Sequence, residues 1–141
     1  MKGIIIAILG GAFITLQGVA NARISEDIGT WQTATVTHLT GFIMTLFILV
    51  FMKDQTWKRV KHVKPLYLTG GTLGAIIIFS NVTAIQRIGV TLSIAALLIA
   101  QLSLTFIIEM NGWFGIKKKR MGQSQYIGIM MMIVGVVILI L

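Results

Sequence analysis

Five long apolar stretches make up most of this chain of 141 residues and leave only short segments between them. Each stretch is close to the roughly 20 residues that an α-helix needs to cross the hydrocarbon core of a bilayer. Only 11% of the residues are charged, whereas soluble domains have about 25%. The sequence therefore predicts an all-α membrane protein, with residues 1–141 forming a single integral membrane domain. The predicted spanning helices cover residues 3–22, 31–52, 65–84, 91–108 and 125–141.

Lysine and arginine are divided unevenly between the two sides that five spans create. The side opposite the N-terminus carries only Arg23 and Arg87. The N-terminal side carries Lys2, Lys53, Lys58, Arg59, Lys61, Lys64, Lys117, Lys118, Lys119 and Arg120. Because short cytoplasmic loops are enriched in these residues, we expect the N-terminus in the cytoplasm and the C-terminus outside. The basic residues at 117–120 are thus interpreted as a topology signal, and we expect no binding of nucleic acid.

Residues that carry catalysis or bind metals are sparse. The chain has no cysteine, two histidines and four carboxylates. His38 and His62 fall on opposite sides of the predicted bilayer, so a nucleophile, a base and an orienting acid cannot be assembled around them. We therefore predict that the protein is not an enzyme and has no catalytic residue, no cofactor and no metal site.

Uncharged polar side chains inside the predicted helices are the candidate binding residues. Gln17, His38 and Asn81 fall in the outer half of the bilayer, and Gln101 falls near its middle. An unpaired amide in hydrocarbon is costly, so each needs a partner or a watery cavity. Together they predict a substrate-binding site around one cavity, although hydrogen bonds between helices explain any single one equally well. His38 is either a neutral hydrogen-bonding group or the carrier of a coupled proton.

Two further groups of residues have predicted roles outside this binding site. Polar residues near helix ends are expected at the rim or gate of a pathway, with anchoring or capping as the alternative: Asn21, Arg23, Arg87 and Glu109. Glycines at spacings typical of close helix packing are expected at helix or dimer interfaces: Gly70, Gly74, Gly128 and Gly135. The last two favour an interface between subunits, because their helix has no polar residue after Tyr126.

Three stretches resemble the YdcZ-like small membrane proteins of the drug/metabolite transporter superfamily: LQGVANARI, GGTLGA and RIGVTLSIAALLIAQLSLTFIIEMNGWFG. The resemblance extends over essentially the whole chain. It implies a bacterial inner-membrane exporter of small solutes, half-size, that pairs in the lipid bilayer with an inverted copy. It also marks Gln17, Asn21, Gln101 and Glu109 as recurring polar positions. Related small multidrug resistance proteins carry a glutamate in their first membrane helix. Gln17 is the main polar group here, which disfavours cation/proton exchange and favours neutral or zwitterionic solutes.

The resemblance and the charge count together predict how two subunits pair. A homodimer of inverted copies needs a weak Lys/Arg bias, so that both orientations arise. The strong bias here favours a heterodimer with a homologous subunit of opposite charge distribution, and the homodimer is the alternative. We expect transport by alternating access around a site near the midplane. A non-transporting scaffold or accessory subunit and a passive channel are the functions left open.

Overall fold

The structure is a computed structural model that describes residues 1–52, 63–118 and 122–141. Six α-helices occupy most of this part of the chain: α1 Lys2–Ile28, α2 Thr30–Met52, α3 Pro65–Leu68, α4 Gly70–Ile88, α5 Val90–Asn111 and α6 Gln123–Ile140. All except the one-turn α3 are long and apolar enough to cross a membrane, which confirms the predicted all-α fold with five spans. The basic residues predicted at positions 53–61 and 119–120 lie outside the described residues.

Two helices differ most in extent from the sequence prediction. Helix α1 continues six residues beyond the predicted end, and its 27 residues give it a length of about 40 Å. The hydrocarbon core is only about 30 Å thick, so the end of α1 extends beyond it. The helix predicted from Pro65 is interrupted at Thr69, and the spanning helix is α4. Two consecutive glycines, Gly70 and Gly71, follow the interruption and weaken helix continuity.

Single glycines join two pairs of consecutive helices. Gly29 separates α1 from α2 with φ 89° and ψ 157°, and Gly89 separates α4 from α5 with φ 82° and ψ 168°. This backbone region is essentially restricted to glycine. The hydroxyl of Thr33 donates to the Gly29 carbonyl at 2.8 Å, and that of Ser93 donates to the Gly89 carbonyl at 2.7 Å. The chain therefore builds the same tight break twice.

The described chain divides into two compact units, Met1–Gln86 and Arg87–Leu141, which we describe separately. In the first unit α2 packs on α1, and α4 contacts both helices near the Gly29 break. In the second unit α5 packs against α6. The prediction of a single domain stays a prediction.

Very little apolar surface is buried within the described part of the chain. Only four apolar residues are buried there: Ala22, Ala34, Val82 and Ile85. All four lie within a few turns of a glycine break, and the first two are alanines. Most large apolar side chains face outward, as expected of helices that pack against lipid or a second subunit.

Candidate functional site

The Asn21 side chain joins α1 to α2. Thr37 donates its hydroxyl proton to Asn21 Oδ1 at 2.8 Å, and only 6% of Asn21 is exposed. A second polar contact lies one turn closer to the break, where Gln86 Nε2 on α4 donates to Ser25 Oγ at 2.7 Å. Asn21 was predicted at the rim of a pathway. The structure places it inside the helix packing, about two turns before the Gly29 break, and its role at the rim stays a prediction.

Asn81 lies on α4 against Gly18 of α1. A Cβ built on Gly18 would be 3.0 Å from Asn81 Nδ2 and 3.4 Å from Ile85 Cδ1, so the absence of a side chain at residue 18 allows this approach. Asn81 Oδ1 is buried and accepts no hydrogen bond from any described residue. A buried amide oxygen without a donor is uncommon, because it forgoes the hydrogen bond that it makes in water.

His38 lies on α2 with its imidazole against Gly74 of α4. A Cβ built on Gly74 would be 2.6 Å from His38 Cε1 and 3.1 Å from Nε2, so this glycine provides the space that the ring occupies. Gly70, the other glycine of this pair, has nothing within 4 Å of an added Cβ in the described part of the chain. Only Gly74 of the predicted pair is therefore in contact with a neighbouring helix.

The exposed side of His38 faces a groove of about 450 Å³ along α2. Its lining residues are Trp31, Ala34, Thr35, His38, Leu39, Phe42 and Ala75. The Trp31 ring stacks on Phe79 of α4, with centroids 4.4 Å apart and planes at 24°. From Trp31 to Phe42 the groove follows about 16 Å of the helix. It offers aromatic walls, one imidazole and no carboxylate.

His38 and Asn81 approach the same stripe of α4. Gly74, against which His38 packs, precedes Asn81 by seven residues, which is two helical turns or about 10 Å. Gln17 is one residue before Gly18 but is exposed, and no described residue is hydrogen-bonded to its amide. Three of the four predicted binding residues therefore lie in the first unit, and two of them border one helix stripe.

Three further polar candidates lie in the second unit, Gln101, Glu109 and Arg87. Gln101 on α5 is exposed, and Glu109, near the end of α5, is half-buried. No ion pair joins Glu109 to any described residue. Arg87 is exposed in the last turn of α4. Their roles in binding and gating stay predictions.

Arg23 is engaged within its own helix. Its guanidinium pairs with Glu26, and Asp27 Oδ1 lies 3.9 Å from Nη1. All three side chains are more than half exposed, so these pairs contribute little stability. Arg23 therefore lies near the C-terminal end of the extended α1, and its predicted part in gating stays a prediction.

The glycines of α6 face away from other described residues. An added Cβ at Gly128 or Gly135 would meet nothing within 4 Å there. Gly135 lies in an open apolar groove of about 470 Å³ on a single face of α6. These positions are free of packing within the described subunit, and their part in a dimer interface stays a prediction.

Several residues that build this region were missed at the sequence level. Thr37 and Gly18 contact neighbouring helices through Asn21 and Asn81, and Trp31 stacks on Phe79. A signal was available for α1, since Gly18, Ala22 and Ser25 follow the small-residue spacing of packed membrane helices. No comparable pattern marks the pairing of Thr37 with Asn21, because threonine is frequent throughout α2.

Comparison with known proteins identifies the family of this chain. No group of three metal-binding side chains gathers in the part of the chain that the structure describes. A family model described as "Putative inner membrane exporter, YdcZ" matches residues 3–138. The chain belongs to the YdcZ family. As a YdcZ protein it is a multi-pass protein of the inner membrane, and the family description names an exporter rather than an enzyme class. Comparison with curated proteins and with solved structures returned no match.

Proposed function

We propose that this YdcZ protein is one subunit of an antiparallel two-subunit exporter of small neutral or zwitterionic solutes. The N-terminus lies in the cytoplasm and the C-terminus outside. Gln17, His38, Asn81 and Gln101 line the solute pathway, together with equivalent residues of an inverted partner. The pathway opens to each side of the membrane in turn.

The observation that carries this proposal is the exposure of polar side chains within apolar helices. Gln17 and His38 lie inside predicted spans, are exposed, and have no hydrogen-bond partner among the described residues. In hydrocarbon such groups are costly, because lipid tails offer no hydrogen bond. A water-lined pathway or a facing subunit removes that cost, and an isolated subunit surrounded by lipid does not.

An inverted partner also follows from the odd number of spans. Transporters commonly contain two inverted repeats with the binding site between them, and a five-span chain supplies one repeat. Ten basic residues on one side against two on the other favour a single orientation of this chain. The partner is therefore a homologous subunit with the opposite charge distribution. A purified chain that forms an antiparallel dimer with itself contradicts this part of the proposal.

The chemistry of the pathway supports solutes without a net positive charge. The membrane part of α1 contains no acidic residue, and Glu26 and Asp27 lie in its extended end. The groove beside His38 contains no carboxylate either. Burying a cationic solute there is unfavourable without a counter-charge, whereas amides and an imidazole hydrogen-bond to neutral groups.

Transport is tested by efflux from vesicles that contain this chain with its partner. Loaded solutes include neutral and zwitterionic compounds, with a cationic dye for comparison. We expect saturable efflux that falls at least about tenfold in Gln17→Leu, because a hydrogen bond to solute is lost. The matched control is Thr15→Val, since the Thr15 hydroxyl already donates to the Gly11 carbonyl of its own helix at 3.1 Å. Efflux without saturation indicates a channel, and no efflux of any compound indicates a scaffold.

A further inference from the structure

The two glycine breaks belong to a longer internal correspondence. Gly29 and Gly89 are 60 positions apart, and so are Asn21 and Asn81, Ile28 and Ile88, and Thr33 and Ser93. The backbone angles of the two glycines agree within about 11°. In both segments the hydroxyl of the fourth residue after the glycine donates a hydrogen bond to the glycine carbonyl. The chain therefore contains two versions of one helix–glycine–helix segment.

Burial follows the same correspondence. Ala22 and Val82 are both buried. Ser25 and Ile85 are both buried as well, and so are Thr33 and Ser93. At these three pairs of positions, equivalent residues are buried in both segments. A substitution in one segment can therefore be compared with the equivalent substitution in the other.

One equivalent pair breaks the correspondence. In the first segment Asn21 Oδ1 receives the hydroxyl of Thr37. The residue 60 positions after Thr37 is Leu97, which has no proton to donate. Asn81 has the position of Asn21 but lacks its donor, and its buried Oδ1 accepts no hydrogen bond from the described residues.

We propose that Asn81 Oδ1 is the acceptor for an N–H or O–H group of the transported solute. A leucine has nearly the shape of asparagine and removes the cost of an unpaired buried oxygen, so packing alone does not call for an amide at this position. A ligand donor supplies the hydrogen bond that Thr37 supplies to Asn21. This inference rests on the proposed transport function and specifies which group of the solute is recognised.

The surroundings of Asn81 define the solute further. Asn81 lies against Gly18 of α1, and the apolar Ile85, one turn further along α4, approaches the same glycine. The groove lined by Trp31, Phe42 and the imidazole of His38 lies about two turns from Asn81 along α4, where Gly74 contacts His38. This combination suits a small, flat, uncharged heteroaromatic solute with one N–H group. Because Oδ1 is covered, the solute reaches it when the contact between Gly18 and Asn81 opens during alternating access.

The test compares Asn81→Leu with Asn21→Leu, the equivalent change in the other segment. Melting temperature is measured on the complex of this chain with its partner in nanodiscs. Binding is measured by equilibrium dialysis with benzimidazole, which has an N–H donor, and with 1-methylbenzimidazole, which has none. Asn81→Met is the second variant, because its unbranched side chain adapts to the space beside Gly18 if leucine does not fit.

We expect the unmodified protein to bind benzimidazole roughly tenfold more tightly than its methylated form. In Asn81→Leu or Asn81→Met the melting temperature is unchanged or higher, and the preference for the donor is lost. In Asn21→Leu the melting temperature falls, because the Thr37 hydroxyl loses its acceptor, and the preference remains.

Three results overturn the inference. A fall in melting temperature for both Asn81 variants that matches Asn21→Leu shows that the amide is already paired within the assembled complex, by a partner residue or a buried water molecule, and is not kept for a solute. Equal binding of the two probes shows that no donor is recognised. The absence of binding by either probe removes the proposed solute class. In each case saturable vesicle efflux of another solute leaves the transport function standing, so the two failures are distinguishable.

Discussion

Replacing Gly74 by alanine is expected to displace the His38 imidazole while leaving the fold intact. An added Cβ lies 2.6 Å from His38 Cε1, whereas carbon atoms in contact are about 3.5–4.0 Å apart. The ring must therefore move by roughly 1 Å or rotate away. Because its other side faces the open groove, this movement costs only about 0.5–1.5 kcal/mol. Alanine also favours a helix over glycine by up to about 1 kcal/mol. The free energy of unfolding should thus change by less than about 1 kcal/mol.

The matched control is Gly70→Ala, where the added Cβ meets nothing within 4 Å in the described part of the chain. The assay is NMR of 15N-labelled histidine in nanodiscs, on a His62→Gln background so that only His38 is observed. We expect Gly74→Ala to shift the His38 resonances and Gly70→Ala to leave them unchanged. In a His38→Ala background, Gly74→Ala should become stabilising by up to about 1 kcal/mol, which a double-mutant cycle measures. Equal effects of the two alanines on the His38 resonances refute the contact.

Three further predictions follow from the described geometry. Gly29→Ala and Gly89→Ala should each lower the free energy of unfolding by about 1–3 kcal/mol, because alanine is strained at their backbone angles. Gly10→Ala, at an uncrowded helical position, should not lower it, and denaturant unfolding measures the difference. Thr37→Val should cost about 1 kcal/mol by leaving Asn21 without its donor, and a double-mutant cycle that shows no coupling between the two residues contradicts this. A single cysteine added at the C-terminus should be labelled by an impermeant thiol reagent in intact cells, and one added at the N-terminus should not; labelling of both contradicts a fixed orientation.

The membrane architecture was predictable because its signal is spread over many residues. Each span contributes about 20 side chains to one average property, so a few polar positions such as Gln17 or Asn81 do not obscure it. The helix ends were less predictable, because a single residue such as Gly29 determines where a helix ends. The sequence stretch from Arg23 to Ile28 has the composition of a loop, yet it is helical up to Gly29. Its acidic and basic residues pair one turn apart, which is compatible with a helix here although such exposed pairs add little stability.

The contacts of the candidate site depended on pairings that composition does not encode. Gln17, Asn21 and Asn81 all carry amides in similar apolar surroundings. The structure makes one of them exposed, gives one a donor, and leaves one with a buried oxygen that has none among the described residues. The difference comes from what stands opposite each amide, a hydroxyl for Asn21 and a glycine for Asn81. The sequence shows which residues share a face of one helix. Which residue of a neighbouring helix stands opposite them depends on the register between the two helices.

The position of the core suits the alternating access that we propose. The buried residues of the first unit gather near the Gly29 break, where small side chains and hydrogen bonds hold α1, α2 and α4 together. Towards the other end of α2, every described residue from Leu39 to Met52 is exposed. In the proposed inverted pair, the tightly packed end of each subunit lies at the same membrane face as the loosely packed end of its partner. At each membrane face, the tightly packed end of one subunit then resists separation of its helices, and the loosely packed end of the other subunit permits it. Exchange of these roles between the subunits opens the pathway to one face at a time.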